Sequence, residues 1–355
     1  MRLISFTVAA LALITSCLTM ASASEKNSVG FSVSPVLPEN SNPTSAGFFD
    51  LTVAPGDRQE LLFSINNDSP EEIVVRASLY TVTTNLNGIV DYSAPGRSDE
   101  TLMHNMADIA SLSQEHIIIP AGKLSEVTVS LTVPEESFDG ILLGAIRTIR
   151  EPTQRELAES GMIVNRFSYI IPIRLRQTDC LIETNFLLGD LSALLVNSMA
   201  SIVVDIRNPM PKLVRGVETS AKIYISGIET PLYESSGFIA DFAPNSVLPF
   251  TLKNTPGSGI QAGHYTARIN LAHEGTNWEF EHTFEITPEI AASVNSGVVN
   301  LIQNSMQNQS GNGDLGDISL WVIIVSAAFV ILVIVLAVVV VLKYNNAIKI
   351  ATGGS

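Results

Sequence analysis

Residues 120–149 read PAGKLSEVTVSLTVPEESFDGILLGAIRTI. Val127, Val129, Leu131 and Val133 alternate with Thr128, Ser130 and Thr132, the period-two pattern of a strand with one face buried and one in water. Asp139-Gly140 then signals a turn, since Gly takes positive φ without penalty and Asp bonds its own backbone. The next run has no period of two. Ile141, Leu142, Leu143, Ala145 and Ile146 would place apolar groups on both faces of a strand. Something must cover the second face. The long segment 93–113 and the polar insertion 151–165 are the candidates, and Gly144 permits close approach. An ordinary doubly covered strand is one reading of this face; a groove for peptide or glycan is the other.

The same rhythm recurs. Pro120-Ala-Gly precedes one apolar strand, and Gly140 follows 20 residues after Pro120; Pro244-Asn-Ser precedes another, and Gly263 follows 19 after Pro244. Each Gly opens a strand, 141–149 and 265–271, that would form part of a closing hairpin, the second returning as Trp278–Ile286. Short strands and turns fill the rest, with turn signals every 8 to 14 residues, such as Asn66-Asn67-Asp68 and Asn87-Gly88. The pattern predicts an all-β fold of two tandem immunoglobulin-like β-sandwich domains, 29–178 and 179–287. From Thr287-Pro288, the residues Ile290, Val294, Val298, Ile302 and Met306 recur at i+4 and predict a juxtamembrane helix within a helical and flexible stalk, 288–317.

The ends indicate the compartment. Residues 1–23 read as a signal peptide closing on Ala21-Ser22-Ala23, with a lipoprotein signal at Cys17 as the alternative. Ile318–Leu342 carries no charge and is long enough for one C-terminal transmembrane helix. Asp314 and Asp317 precede it and Lys343 and Lys349 follow, so 343–355 is expected in the cytoplasm and the rest outside; a lone cysteine after cleavage, one C-terminal helix and no barrel pattern point to a Gram-positive cell membrane. Signal cleavage leaves Cys180 alone, so no intrachain disulfide is expected. The net charge is −15 over 355 residues. Bulk charge therefore argues against nucleic acid or anionic wall polymers as partners, leaving only local basic clusters for that role.

The five histidines form no zinc spacing with each other or with Cys, and no nucleophile elbow or phosphate loop is present. Residues 66–72 offer oxygens for calcium but lack the ladder and Gly of an EF-hand, which favours a hydrated turn. We expect no enzyme, no metal and no cofactor. Trp278 and Tyr265 read as core aromatics.

Two groups of stretches carry a resemblance. Phe31–Asn40 with Gly47–Gly56, Asn85–Tyr92 and Phe138–Gly144 resemble the first domain of the WxL-interacting proteins of Gram-positive bacteria. Val203–Pro209, Phe242–Ser246, Ala262–Tyr265 and Trp278–Phe280 are similar to that family's second domain. The resemblance implies a membrane-anchored scaffold. Its first domain would hold peptidoglycan, its second would contact host extracellular-matrix protein or another surface component, and secreted WxL-domain proteins would be its partners. The rival reading is a membrane-bound assembly factor or chaperone that captures secreted proteins by β-strand addition. No binding residue follows from the resemblance. From loop character alone, the segment 92–106 is the expected contact surface, with Tyr92, Arg97 and His104 as ligand-binding residues.

Overall fold

The structure is a computed structural model that describes residues 30–159, 166–253 and 259–297. The predicted signal peptide with Cys17, the span Ile318–Leu342, the tail and most of the stalk lie outside the described residues. Among the described residues no helix is long and apolar enough to cross a membrane. The fold is mostly β, 55% strand against 7% helix, arranged as sandwich-like sheets.

In the first sandwich one sheet runs β1 (Phe31–Val36), β3 (Arg58–Asn67), β9 (Leu124–Thr132), β7 (Ala110–Leu112). The facing sheet runs β2 (Phe49–Thr52), β11 (Ser168–Arg176), β10 (Leu142–Arg150), β4 (Ile73–Thr81), β8 (His116–Ile119). Val127, Val129 and Leu131 of β9 are buried against Phe63, Val75, Ile117 and Ile173, so the alternation read in the opening stretch is a true inward face. Two short helices interrupt the strands, α1 (Met106–Ile109) and α2 (Gln154–Glu159). A small hairpin, β5 (Thr83–Thr84) with β6 (Val90–Asp91), turns at Gly88, whose φ is 70°.

The second sandwich repeats this order. One sheet runs β12 (Leu187–Val196), β13 (Met199–Asn208), β16 (Ser246–Lys253); the other runs β15 (Tyr233–Phe242), β14 (Val214–Ile225), β17 (Gly263–His273), β18 (Thr276–Ile286). Thus β10–β11 and β17–β18 are matching hairpins, each on a central strand, β4 or β14. The Pro120/Pro244 echo has a structural cause. Asn67 ends β3 and donates through Nδ2 to the carbonyls of Ile119 and Pro120; Asn208 ends β13 and donates likewise to Ala243 and Lys212. Tyr265 and Trp278 are structural aromatics, Tyr265 buried against Phe284 and Trp278 edge-on to Phe186. Helical residues 288–297 pack back on this sandwich: Ala291 and Val294 join its core, and the Asn295 side chain bonds both the N–H and the carbonyl of Ile260.

The connection between the sandwiches covers 177–186 and leaves Cys180 exposed. Their junction is formed elsewhere. Residues 97–99 of the first sandwich lie antiparallel along the otherwise free edge of β16, with Ser98 opposite Ser246. The Asp99 N–H donates to the Asn245 carbonyl at 2.7 Å, and the Val247 N–H to the Arg97 carbonyl at 3.1 Å. The second sandwich's three-stranded sheet therefore gains a fourth strand from its neighbour, at the place β7 occupies in the first.

Candidate functional site

The double-sided strand β10 organises the candidate surfaces. Its residues Leu142 and Ile146 face the first core, where Met106 packs over Gly144; a Cβ there would lie 2.4 Å from the Met106 Cγ. Segment 93–113 thus supplies part of the inner packing. On the outer face, Leu143 and Ala145 form a small cluster with Tyr80, Val82, Tyr92 and, from the second sandwich, Ala243. Among the described residues of the insertion, 151–159, none belongs to this cluster, and 160–165 lie outside the described residues.

Arg147 follows on the same outer face. Register places it between Ser78 of β4 and Ile170 of β11, while Arg76 pairs with Ile149 and with His116 of β8. The Arg147 side chain is half-buried, its Nε is buried without a partner, and among the described residues its guanidinium makes no ion pair. Arg76 meets Glu151 at 3.4 Å across water-exposed surface, and Arg150 grips Glu156 at 2.6 Å. That fork, more than burial opposes it, holds the Glu156 carboxyl down at about 2. Arg76, Ile149, Arg150, Glu151, Leu157 and Arg166 line a hollow of about 310 Å³ beside Arg147's strand. Ile118, 63% exposed, edges the same face. The sequence reading missed these arginines. The signal was present: Arg76 and Arg147 occupy outward positions of strands whose other face is apolar.

The three residues expected to bind ligand occupy three different settings. Tyr92 is packed in the outer cluster, its carbonyl accepting the Tyr80 hydroxyl at 3.0 Å, and burial pushes its own hydroxyl pKa up. Arg97 forks onto Asp205 of the second sandwich at 2.8 and 2.6 Å. His104 lines a cleft of about 180 Å³ between the sandwiches, with Phe138, Ile141, Pro209 and Pro211. Segment 92–106 as a whole is a junction. Arg207 returns to Asp99 at 2.5 and 3.0 Å, and Asn245 donates to Thr101 and Pro209. Burial alone would raise the Asp99 pKa, but the Arg207 and Thr101 hydrogen bonds outweigh it and hold Asp99 ionised. The same fork keeps Arg207 above the usual guanidinium range.

At the turn 66–72 the Asn67 amide closes the loop through backbone carbonyls. Among the described residues no group of three or more His, Cys, Asp or Glu could hold a metal ion.

Comparisons with known families match the chain in two stretches. Residues 31–150 match the model for the WxL Interacting Protein peptidoglycan binding domain, and residues 158–296 match that for the host binding domain of the same proteins. The second match begins before β11, a strand that pairs inside the first sandwich. No curated protein matches the chain. Among solved structures it is similar to the periplasmic chaperone SfaE, at 8% identity and TM-score 0.28 over 73% of this chain and 100% of that one. It is also similar to the Pseudomonas aeruginosa CupB2 chaperone, at 13% and 0.26 over 66% and 96%, and to a PapD-like domain of human CEP192, at 12% and 0.27 over 43% and 89%. Matched by both family models in order and over more than half its length, the chain belongs to the WxL-interacting proteins, a peptidoglycan binding domain followed by a host binding domain.

Proposed function

We propose that the protein is a non-enzymatic scaffold of the Gram-positive cell surface, two immunoglobulin-like sandwiches held outside by a signal peptide and one C-terminal span at Ile318–Leu342. Its first domain (29–178) binds peptidoglycan, its second (179–287) contacts host matrix protein, and secreted WxL-domain proteins are captured between wall and membrane. The two family matches support the binding roles, and the observation that supports a scaffold is the shared strand edge. Residues 97–99 pair with β16 and are locked by two reciprocal Arg–Asp forks, so ligands of the two domains are presented at a fixed separation. In this proposal Tyr92 and Arg97 serve the junction, and His104 lines a cleft that an apolar side chain of a partner can enter. Co-capture tests it: the purified protein should be retained by wall sacculi and, while retained, should bind a secreted WxL-domain protein. Retention on sacculi without any capture of that protein would leave a wall-binding protein and end the scaffold reading.

A further inference from the structure

We infer that the open half of the outer face of the sheet β2-β11-β10-β4-β8 recognises the carboxylates of peptidoglycan stem peptides, with Arg147 as the central anion contact. The inference rests on the peptidoglycan reading of the first domain and names the group on the polymer that is recognised.

Three observations converge. The first is charge. The chain carries a net −15, yet this face presents Arg76, Arg147 and the nearby Arg166, with His116 beside Arg76 and Glu151 as the acid that answers Arg76. An anionic polymer repelled by the whole molecule can still settle on such a cluster, since charges beyond about 8–10 Å are screened at physiological salt. The second is an unsatisfied cation. Surface arginines of this chain are generally paired: Arg97 with Asp205, Arg174 with Asp50, Arg207 with Asp99 and Arg268 with Glu281. Arg147 is half-buried and, among the described residues, has no ion pair and no acceptor for its buried Nε. Desolvating a guanidinium without a counter-ion is unfavourable, and a carboxylate from outside supplies the planar bidentate acceptor it lacks. The third is geometry. Among the described residues the second sandwich reaches the Leu143–Ala145 half of the face, through Ala243, and not the half around Arg147. Beyond it, Ser78, Ile149, Ile170 and the exposed Ile118 surround the two arginines. That mix of apolar floor and cations suits a peptide bearing carboxylates better than a bare phosphate chain.

The test uses the full chain in detergent and a soluble disaccharide–peptide fragment of peptidoglycan, with its carboxylates free or amidated. Arg147→Gln should weaken binding of the free fragment about tenfold or more, the worth of one charge-assisted hydrogen bond. Arg147→Lys should recover part of it, and amidation should weaken wild-type binding to a similar degree. Because Arg147 leaves no partner behind and its own desolvation is relieved, Arg147→Gln should melt at or above the wild-type temperature. A second variant, Ile118→Glu, adds a like charge on the open face and should also weaken binding. Equal affinity of wild type and Arg147→Gln, or of free and amidated fragment, overturns the inference while leaving the peptidoglycan reading intact. Retention only by walls that keep their phosphate polymers overturns the choice of carboxylate. Failure of the wild type to bind any sacculus overturns the reading itself and this inference with it.

Discussion

Arg97 of the first sandwich and Asp205 of the second meet through two hydrogen bonds, at 2.8 and 2.6 Å, and Arg207 and Asp99 repeat the contact in the opposite direction. The two forks differ in burial. Arg97 is 60% exposed over an Asp205 that is 8% exposed, while Arg207 is 21% exposed over an Asp99 with no exposure at all. Removing Arg207 strands a buried carboxylate, and Arg207→Ala should cost about 3 kcal/mol or more. Arg97→Ala should cost only about 1 kcal/mol, because water reaches the vacated site. Thermal or urea unfolding of the two variants checks the ranking; equal losses would show that burial does not govern the clasp.

Gly140 has a φ of 79°, and a Cβ there would lie 2.3 Å from the Pro211 carbonyl, which accepts the Ile141 N–H at 2.7 Å. Gly122 has a φ of 64° with nothing within 4 Å. Gly122→Ala should cost only the backbone strain, about 1 kcal/mol. Gly140→Ala should cost that plus about 1–3 kcal/mol for displacing the second sandwich. The difference in midpoint between the two variants measures the contact.

Asp50 is fully buried, and the Arg174 fork, helped by Ser45, holds its carboxyl down from 3.8 to about 2 against the opposing effect of burial. A depressed folded-state pKa gives stability that is complete above the unfolded value and is lost as pH falls through the folded value. Between pH 4 and pH 2 the protein should therefore lose about 2 kcal/mol through this group. Asp50→Asn should be less stable than wild type at pH 7 and converge with it near pH 2. A constant difference across that range would count against the fork.

The strand given by residues 97–99 predicts complementation. A fragment of 179–317 alone leaves the β16 edge unpaired, and such edges associate. Mixed with a fragment of 30–178 it should form a one-to-one complex on size exclusion, and Arg97→Ala with Asp99→Asn in the first fragment should prevent it. Fragments that stay apart when mixed would mean the edge contributes little.

The strands were legible where water and core divide a strand between them, as along Val127–Leu131 and Tyr265–Leu271. The repeat was legible because Asn67 and Asn208 fix a Pro turn at equivalent places. The junction was not. Residues 97–99 carry Arg-Ser-Asp, with no apolar alternation, because their side chains answer charges on β13 across β16. Partners 108 residues apart leave no local pattern. From sequence alone the segment reads as a free loop; in the structure it is a junction. Strands β12 and β15 are the hardest to read from the sequence; both are edge strands with mixed burial, which blurs the period.

The central claim is that the two domains are one body joined by a borrowed strand. Amide hydrogen exchange at Asp99 and Val247 measures it directly, since these N–H groups make the two junction bonds. We predict protection comparable to the Ile202–Leu252 interior of the same sheet, reached only through larger opening events. Exchange of both amides at the rate of an open loop, with β13 still protected, would contradict the account.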